Sequence, residues 1–261
     1  MPQDTAENPA RSHDAVVDAQ FGPQAAAYVQ SPVHAQGADL DALETIVRAA
    51  RPARALDLGC GGGHVAYRLA PHAGAVVACD LSGEMLAAVR ETAAARGMRN
   101  ITTEQSPAEQ LPFADAAFDF VVTRFSAHHW RDLGAGLAQM HRVAQSGAPA
   151  IFIDAISPGK PLQDTLLQTI ELLRDPGHVR DYTIAEWAAA VERAGFDVEA
   201  ITRRRIRIDF TTWIQRMRTP KLQADAVRAL QHQASDDVRR HFAIEPDGSF
   251  QLDVMMLQAR A

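Results

Sequence analysis

Between residues 55 and 63 the chain reads Ala-Leu-Asp-Leu-Gly-Cys-Gly-Gly-Gly, and this segment constrains the fold more than any other. The run Arg54 to Leu58 has the length and flanks of a buried strand. Glycine accepts the backbone angles of a tight turn and lets main chain approach a ligand closely. A helical pattern then runs through Ala70. Strand, glycine turn and helix in this order form the opening unit of an open α/β sheet.

The rest of the chain keeps that rhythm. Strands are predicted at 75–80, 101–105, 118–123 and 150–154, with helices at 83–96, where Ser82 is the expected N-cap, and at 133–144. Two helices, 162–173 and 184–194, follow the fifth strand, the second stopped by Gly195. Strands at 198–210 and 250–257 close the domain around a helical insert at about 211–242. The expectation is an α/β fold with a seven-stranded, mostly parallel sheet and helices on both faces.

Upstream, residues 1–38 read as a separate segment, and 39–261 as the domain. Residues 1–13 are polar, carry Pro2 and Pro9, and read as disordered. Residues 14–37 suggest one or two helical turns broken at Gly22-Pro23. From Asp39 the apolar positions Leu40, Leu43, Ile46 and Val47 recur at helical spacing.

Composition narrows the partners. The net charge of -6 argues against nucleic acid, which asks for a basic face. The cluster Arg203-Arg204-Arg205 reads as the solvated side of a strand. The two cysteines, Cys60 and Cys79, form no C-x-x-C pair, so no metal is expected and a reducing compartment suits the chain. Neither a secretory leader nor a membrane span is visible, and the location read is cytoplasmic. The insert suits either a covered pocket or a dimer contact, leaving monomer and homodimer open.

The glycine turn alone does not name a ligand. Dinucleotide-binding sheets hold a pyrophosphate on a G-x-G-x-x-G turn. Here the third glycine of that pattern is His64, and Asp57 sits inside the strand just before the turn. A carboxylate beside the turn favours a ligand carrying positive charge. Asp80, at the end of the next strand, can accept hydrogen bonds from both hydroxyls of a ribose.

Leu56-Asp-Leu-Gly-Cys-Gly-Gly-Gly63 resembles the first motif of class I S-adenosylmethionine-dependent methyltransferases. Asp80-Leu-Ser is similar to their acidic second motif. Pro107-Ala-Glu-Gln-Leu-Pro-Phe-Ala-Asp-Ala-Ala-Phe-Asp119 and Arg142-Val-Ala-Gln-Ser-Gly147 resemble stretches of the ubiquinone/menaquinone-biosynthesis C-methyltransferase-like (type 11) subgroup. The resemblance covers about residues 39–200. It implies a Rossmann-like fold with S-adenosylmethionine as cofactor and S-adenosylhomocysteine as product. It also implies an N-terminal lid, a small-molecule acceptor, and in-line displacement of the methyl group. Gly59, Cys60 and Gly61 would hold the methionine part, with Asp57 on its ammonium and Arg124 beside the reactive end. Asp80 would take the ribose, Leu81 and Met85 the adenine face, and Ser106, Pro107, Ala108 and Glu109 the adenine edge. The chain departs from the pattern at Pro107, where the adenine-contacting residue is usually aspartate. Ser106 or a backbone carbonyl is then left to make that contact.

Three segments are candidates for the acceptor side. His128 and His129, after the fourth strand, can supply a general base, His129 more so, or simply hold the loop together. Tyr28 can face a sulfonium by cation–π contact, and His34 the acceptor, or the segment merely packs down. Arg174, His178 and Arg180 can hold an anionic or phenolic acceptor or form loop salt bridges. Two other functions stay open at this level. A nicotinamide oxidoreductase would ask for Tyr-x-x-x-Lys, which none of the three tyrosines provides. A non-catalytic cofactor-binding or interaction module would keep the pocket without turnover.

Overall fold

A computed structural model describes residues 11–24 and 37–261. Helix α1 (His13–Phe21) is capped by Ser12, whose Oγ accepts from the Ala15 N–H at 3.2 Å, and a 3-10 turn (Gly22–Gln24) follows at the expected Gly-Pro break. The helix thus begins at His13, the last residue of the polar stretch 1–13. Helix α2 (Ala38–Ala50) buries Leu40, Leu43 and Val47 and lets its chain turn at Arg51.

The alternation then runs β1 (Arg54–Leu58), α3 (His64–Leu69), β2 (Ala75–Asp80), α4 (Gly83–Ala95), β3 (Ile101–Gln105), β4 (Phe120–Arg124), α5 (Leu133–Val143) and β5 (Pro149–Ala155). Beyond it come α6 (Pro161–Arg174), α7 (Ile184–Arg193), β6 (Asp197–Ile208), α8 (Phe210–Arg216), α9 (Lys221–Gln233), α10 (Asp236–His241) and β7 (Phe250–Arg260). The predicted strand at 118 starts two residues later, because Phe118 makes only an isolated bridge to Ala144. Ser82 occupies the N-cap position of α4, but its buried hydroxyl has no hydrogen-bond partner.

The seven strands lie in the order β3-β2-β1-β4-β5-β7-β6. β1 to β5 are parallel, and β7 runs antiparallel to both β5 and β6. The chain winds from β1 outward in one direction and from β4 in the other. The β1/β4 seam is thus the topological switch point, where open sheets of this kind bind ligands at the carboxyl ends of their strands.

Both sheet faces are covered, as a parallel sheet requires. One layer packs Leu56, Leu58, Val121 and Phe152 against α5 and α7 through Leu137, Met140, Trp187 and Val191. The other packs Ala55, Val76, Val122 and Ile153 against α2, α3 and α4 through Leu43, Val65, Leu69 and Val89. A third cluster joins α6 and the insert helices α8 to α10 to the β6–β7 end through Trp213, Val227, Phe242 and Phe250. The insert thus packs on the Ile208 end of β6 and the Phe250 end of β7. Among the described residues, no helix is long and apolar enough to cross a membrane.

Candidate functional site

The glycine turn leaves β1 with Gly59 at φ 68° and Gly61 at φ 48°, both in the left-handed region. The two glycines serve different ends. A Cβ on Gly59 would lie 1.8 Å from the Ser126 Oγ, so that position is closed by the neighbouring loop. A Cβ on Gly61 would meet nothing within 4 Å and points into open space. The turn is tied to β2 by Gly59 and Cys60 N–H groups donating to the Cys79 carbonyl at 2.8 and 3.0 Å.

Two carboxylates flank this space. Asp80, at the end of β2, accepts from the Gly61 N–H at 2.8 Å and the Ser82 N–H at 2.9 Å. Asp57 accepts from the Ala66 N–H at 2.9 Å through Oδ2, while its buried Oδ1 has no partner. Burial, with Asp80 nearby and against the Ala66 hydrogen bond, raises the Asp57 carboxyl to about 7. An acid whose pKa rises on folding adds stability in full below the unfolded value. That contribution fades as pH climbs through the folded one. The expected result is that Asp57→Asn flattens the loss of ligand-free stability between about pH 4 and 7, a difference of roughly 4 kcal/mol at most. Parallel melting curves for the two proteins would contradict the assignment.

Two cavities meet at the turn, sharing Phe21, Gly59, Gly61, Phe125 and His129. The smaller, 120 Å³, runs past Asp80, Leu81 and Met85 to Ser106, Pro107, Ala108 and Glu109. Helix α1 forms its outer wall. That helix is fixed by the Asp14–Arg131 ion pair at 3.1 Å, by His13 Nε2 donating to the His129 carbonyl at 2.8 Å, and by Phe21 edge-on to His129 at 4.9 Å. Ser106 directs its hydroxyl to the carbonyls of Pro107 and Gln110 within its own loop. The Glu109 carboxylate accepts from the Asp132 N–H at 3.2 Å.

The larger cavity, 450 Å³, runs from Asp57, Cys60 and Gly61 toward Trp213 and Leu252 of the insert end. Arg124 lines it and is held by Asp39 of α2, with Nε 2.5 Å from Oδ2. His128 lines it too. Its Nδ1 lies 2.6 Å from Oδ1 of Asp154, which is 1% exposed at the end of β5. Burial pushes the His128 imidazole down. The Asp154 charge and hydrogen bond, with Asp181 and Glu171 behind, more than offset this and hold it at about 9.

His129 differs. Its Nδ1 is 3.0 Å from the Gly177 carbonyl, which can only accept, so Nδ1 carries the proton. Burial and the His128 cation keep its pKa down at about 4. Asp175 is 3.8 Å from its Nε2, beyond hydrogen-bonding range. The carboxylate-anchored imidazole is thus His128, although the sequence favoured His129.

The substrate candidates divide. Arg174 lines the larger cavity but is paired with Glu171 at 3.1 Å and stacked 4.8 Å over Trp213. His178 is buried behind His128 on Gln168, with Nε2 3.0 Å from Oε1. Arg180 reaches outward to Glu186 at 3.2 Å and Asp164 at 3.7 Å. Neither His178 nor Arg180 lines either cavity, because each is spent on partners in the adjoining helices α6 and α7. Tyr28 and His34 lie outside the described residues. Sequence reasoning missed Asp39, Asp154 and the cavity face of β6. Asp154 carried a usable signal, since like Asp80 it is an acid at the carboxyl end of a predicted strand.

A family model described as a methyltransferase domain matches residues 55–147. The chain is 44% identical over 201 residues to the protein YafE of Escherichia coli, covering 77% of this chain and 97% of that one. It is 30% identical over 224 residues to the methyltransferase YcgJ of Bacillus subtilis, covering 86% and 88%. The crystal structure of YcgJ superposes with a TM-score of 0.80 at 28% identity, covering 84% of this chain and 97% of that one.

Proposed function

Since the chain belongs to the class I S-adenosylmethionine-dependent methyltransferases, we propose that it moves the methyl group of that cofactor onto a small molecule held in the larger cavity. The observation that carries this reading is the meeting of two cavities at Gly59 and Gly61, one narrow and ribose-like in its acid, the other wide and walled by the insert.

The residues present fit the cofactor. The unpartnered Oδ1 of Asp57 suits an ammonium, the open side of Gly61 leaves room for backbone contact, and Asp80 has lone pairs left for a ribose. Leu81 and Met85 offer an apolar face to a base, with Ala108 and Glu109 at its rim. With the Ser106 hydroxyl turned to its own loop carbonyls, the adenine amino group is left to backbone acceptors or to the Ser106 oxygen lone pairs. When bound, S-adenosylmethionine supplies a methyl group on a sulfonium that is already a good leaving group.

The protein's task is then alignment and exclusion of water. Arg124, fixed by Asp39, and Phe125 border the seam between the cavities. Helix α1 closes one side of that seam. His128, held at Nδ1 by Asp154, lines the cavity and is the residue we assign to receive a proton from the acceptor. His129, neutral and donating to Gly177, orders the loop around it.

The test is transfer of labelled methyl from S-adenosylmethionine in a cell extract separated into metabolite, protein and nucleic-acid fractions. Label is expected in the metabolite fraction. Label confined to protein or nucleic acid would overturn the small-molecule assignment.

A further inference from the structure

We propose that Arg204 is the anchor for a carboxylate on the acceptor, so that the larger cavity takes an amphipathic molecule with an apolar body and one acidic group. This rests on the reading of that cavity as the acceptor site.

Arg204 stands on β6 opposite Val254 of β7, two residues before Ile206, which lies opposite Leu252. Side chains alternate across a strand, so Arg204, Ile206 and Ile208 share one face. All three line the cavity, together with Leu252, Val254 and Trp213. A guanidinium cannot shed its charge to suit an apolar wall. Yet Nη1 of Arg204 is out of solvent contact and has no hydrogen-bond partner among the described residues. The side chain as a whole is half-buried, but this one donor is out of water and unpaired, which costs free energy until a ligand pairs with it.

The neighbouring cations are already matched. Arg203 and Arg205 share the buried Asp253, Arg207 holds Glu245, Arg174 holds Glu171, and Arg124 holds Asp39. Arg205 and Arg207 border the cavity from within these pairs, and Arg216, which also lines it, is engaged within the protein. The charge left to a ligand is that of Arg204, with a planar fork that fits a carboxylate in two-point contact. Asp175, Asp181 and Glu171 also line the cavity. Their presence disfavours a doubly charged phosphate and leaves a monoanion as the matching group.

The experiment titrates 3-phenylpropanoate, its primary amide and phenyl phosphate into wild-type protein, R204M and R204K. The acid is expected to bind wild-type protein at least ~10-fold more tightly than the amide. That preference should vanish in R204M and survive in part in R204K. Equal binding of acid and amide, binding of neither, a preference unchanged in R204M, or tighter binding of the phosphate would each overturn the proposal. The wild-type comparison needs no variant, so a misfolded R204M leaves the test intact. Titration of S-adenosylhomocysteine into wild-type protein checks the methyltransferase reading separately, since the acid-versus-amide comparison is made without it.

Discussion

Replacing Gly61 by valine is expected to leave a folded protein that no longer binds S-adenosylhomocysteine. The protein itself offers no obstacle to a side chain there, since a Cβ would meet nothing within 4 Å. The cost to the fold is the left-handed backbone at φ 48°, about 1–2 kcal/mol for a residue other than glycine. In a chain of this size that lowers the melting temperature by a few degrees. The valine would project into the junction of the two cavities, where the ligand must lie against the main chain. Overpacking of about 1–3 kcal/mol and lost backbone contacts should weaken binding ~100-fold or more. Gly59→Val should behave differently, because its side chain collides with Ser126 and the damage falls on the fold. Calorimetric titration and thermal melting of both variants separate the two cases. Near-native affinity in G61V would mean that the ligand lies elsewhere.

The second large effect concerns His128. His128→Asn should lower the turnover of any acceptor that must lose a proton by ~10²–10⁴-fold. Affinity for S-adenosylhomocysteine should change no more than a few-fold. The imidazole is held near 9 by Asp154, so it is protonated at neutral pH in the ligand-free protein. A base must be neutral to act, so kcat/KM of the wild type should climb with pH toward about 9 and then level. The rise should be absent in H128N. A variant that melts earlier but turns over normally, with the same pH profile, would assign His128 to loop structure alone.

The sheet was legible in the sequence because most of its parallel strands are apolar runs bounded by turn residues, although the edge strand β3, Ile-Thr-Thr-Glu-Gln, is not. The glycine turn also announced the switch point. The reversal of β7 was not legible, since a buried strand carries no mark of its direction. Asp57 and Asp80 could be singled out because they lie near strand ends beside that turn. The acceptor side was harder. His178 and Arg180 carry the right chemistry, but their loop directs them to Gln168, Glu186 and Asp164, and only three-dimensional packing decides that. Arg204 reads as one of three solvated arginines. Strand alternation splits the triplet: Arg203 and Arg205 pair with Asp253, while Arg204 shares the face of Ile206 and Ile208 and is left without that partner. Parity was visible in the sequence, but which parity meets Asp253 depends on the β6–β7 register.

The most direct test of the account is a titration of S-adenosylmethionine and S-adenosylhomocysteine into the wild-type protein and Asp80→Ala, run beside NADH. Micromolar binding of both is expected, with loss in the variant and no binding of NADH. Binding of NADH, or cofactor affinity untouched in Asp80→Ala, would contradict the placement of the cofactor between Asp57 and Asp80.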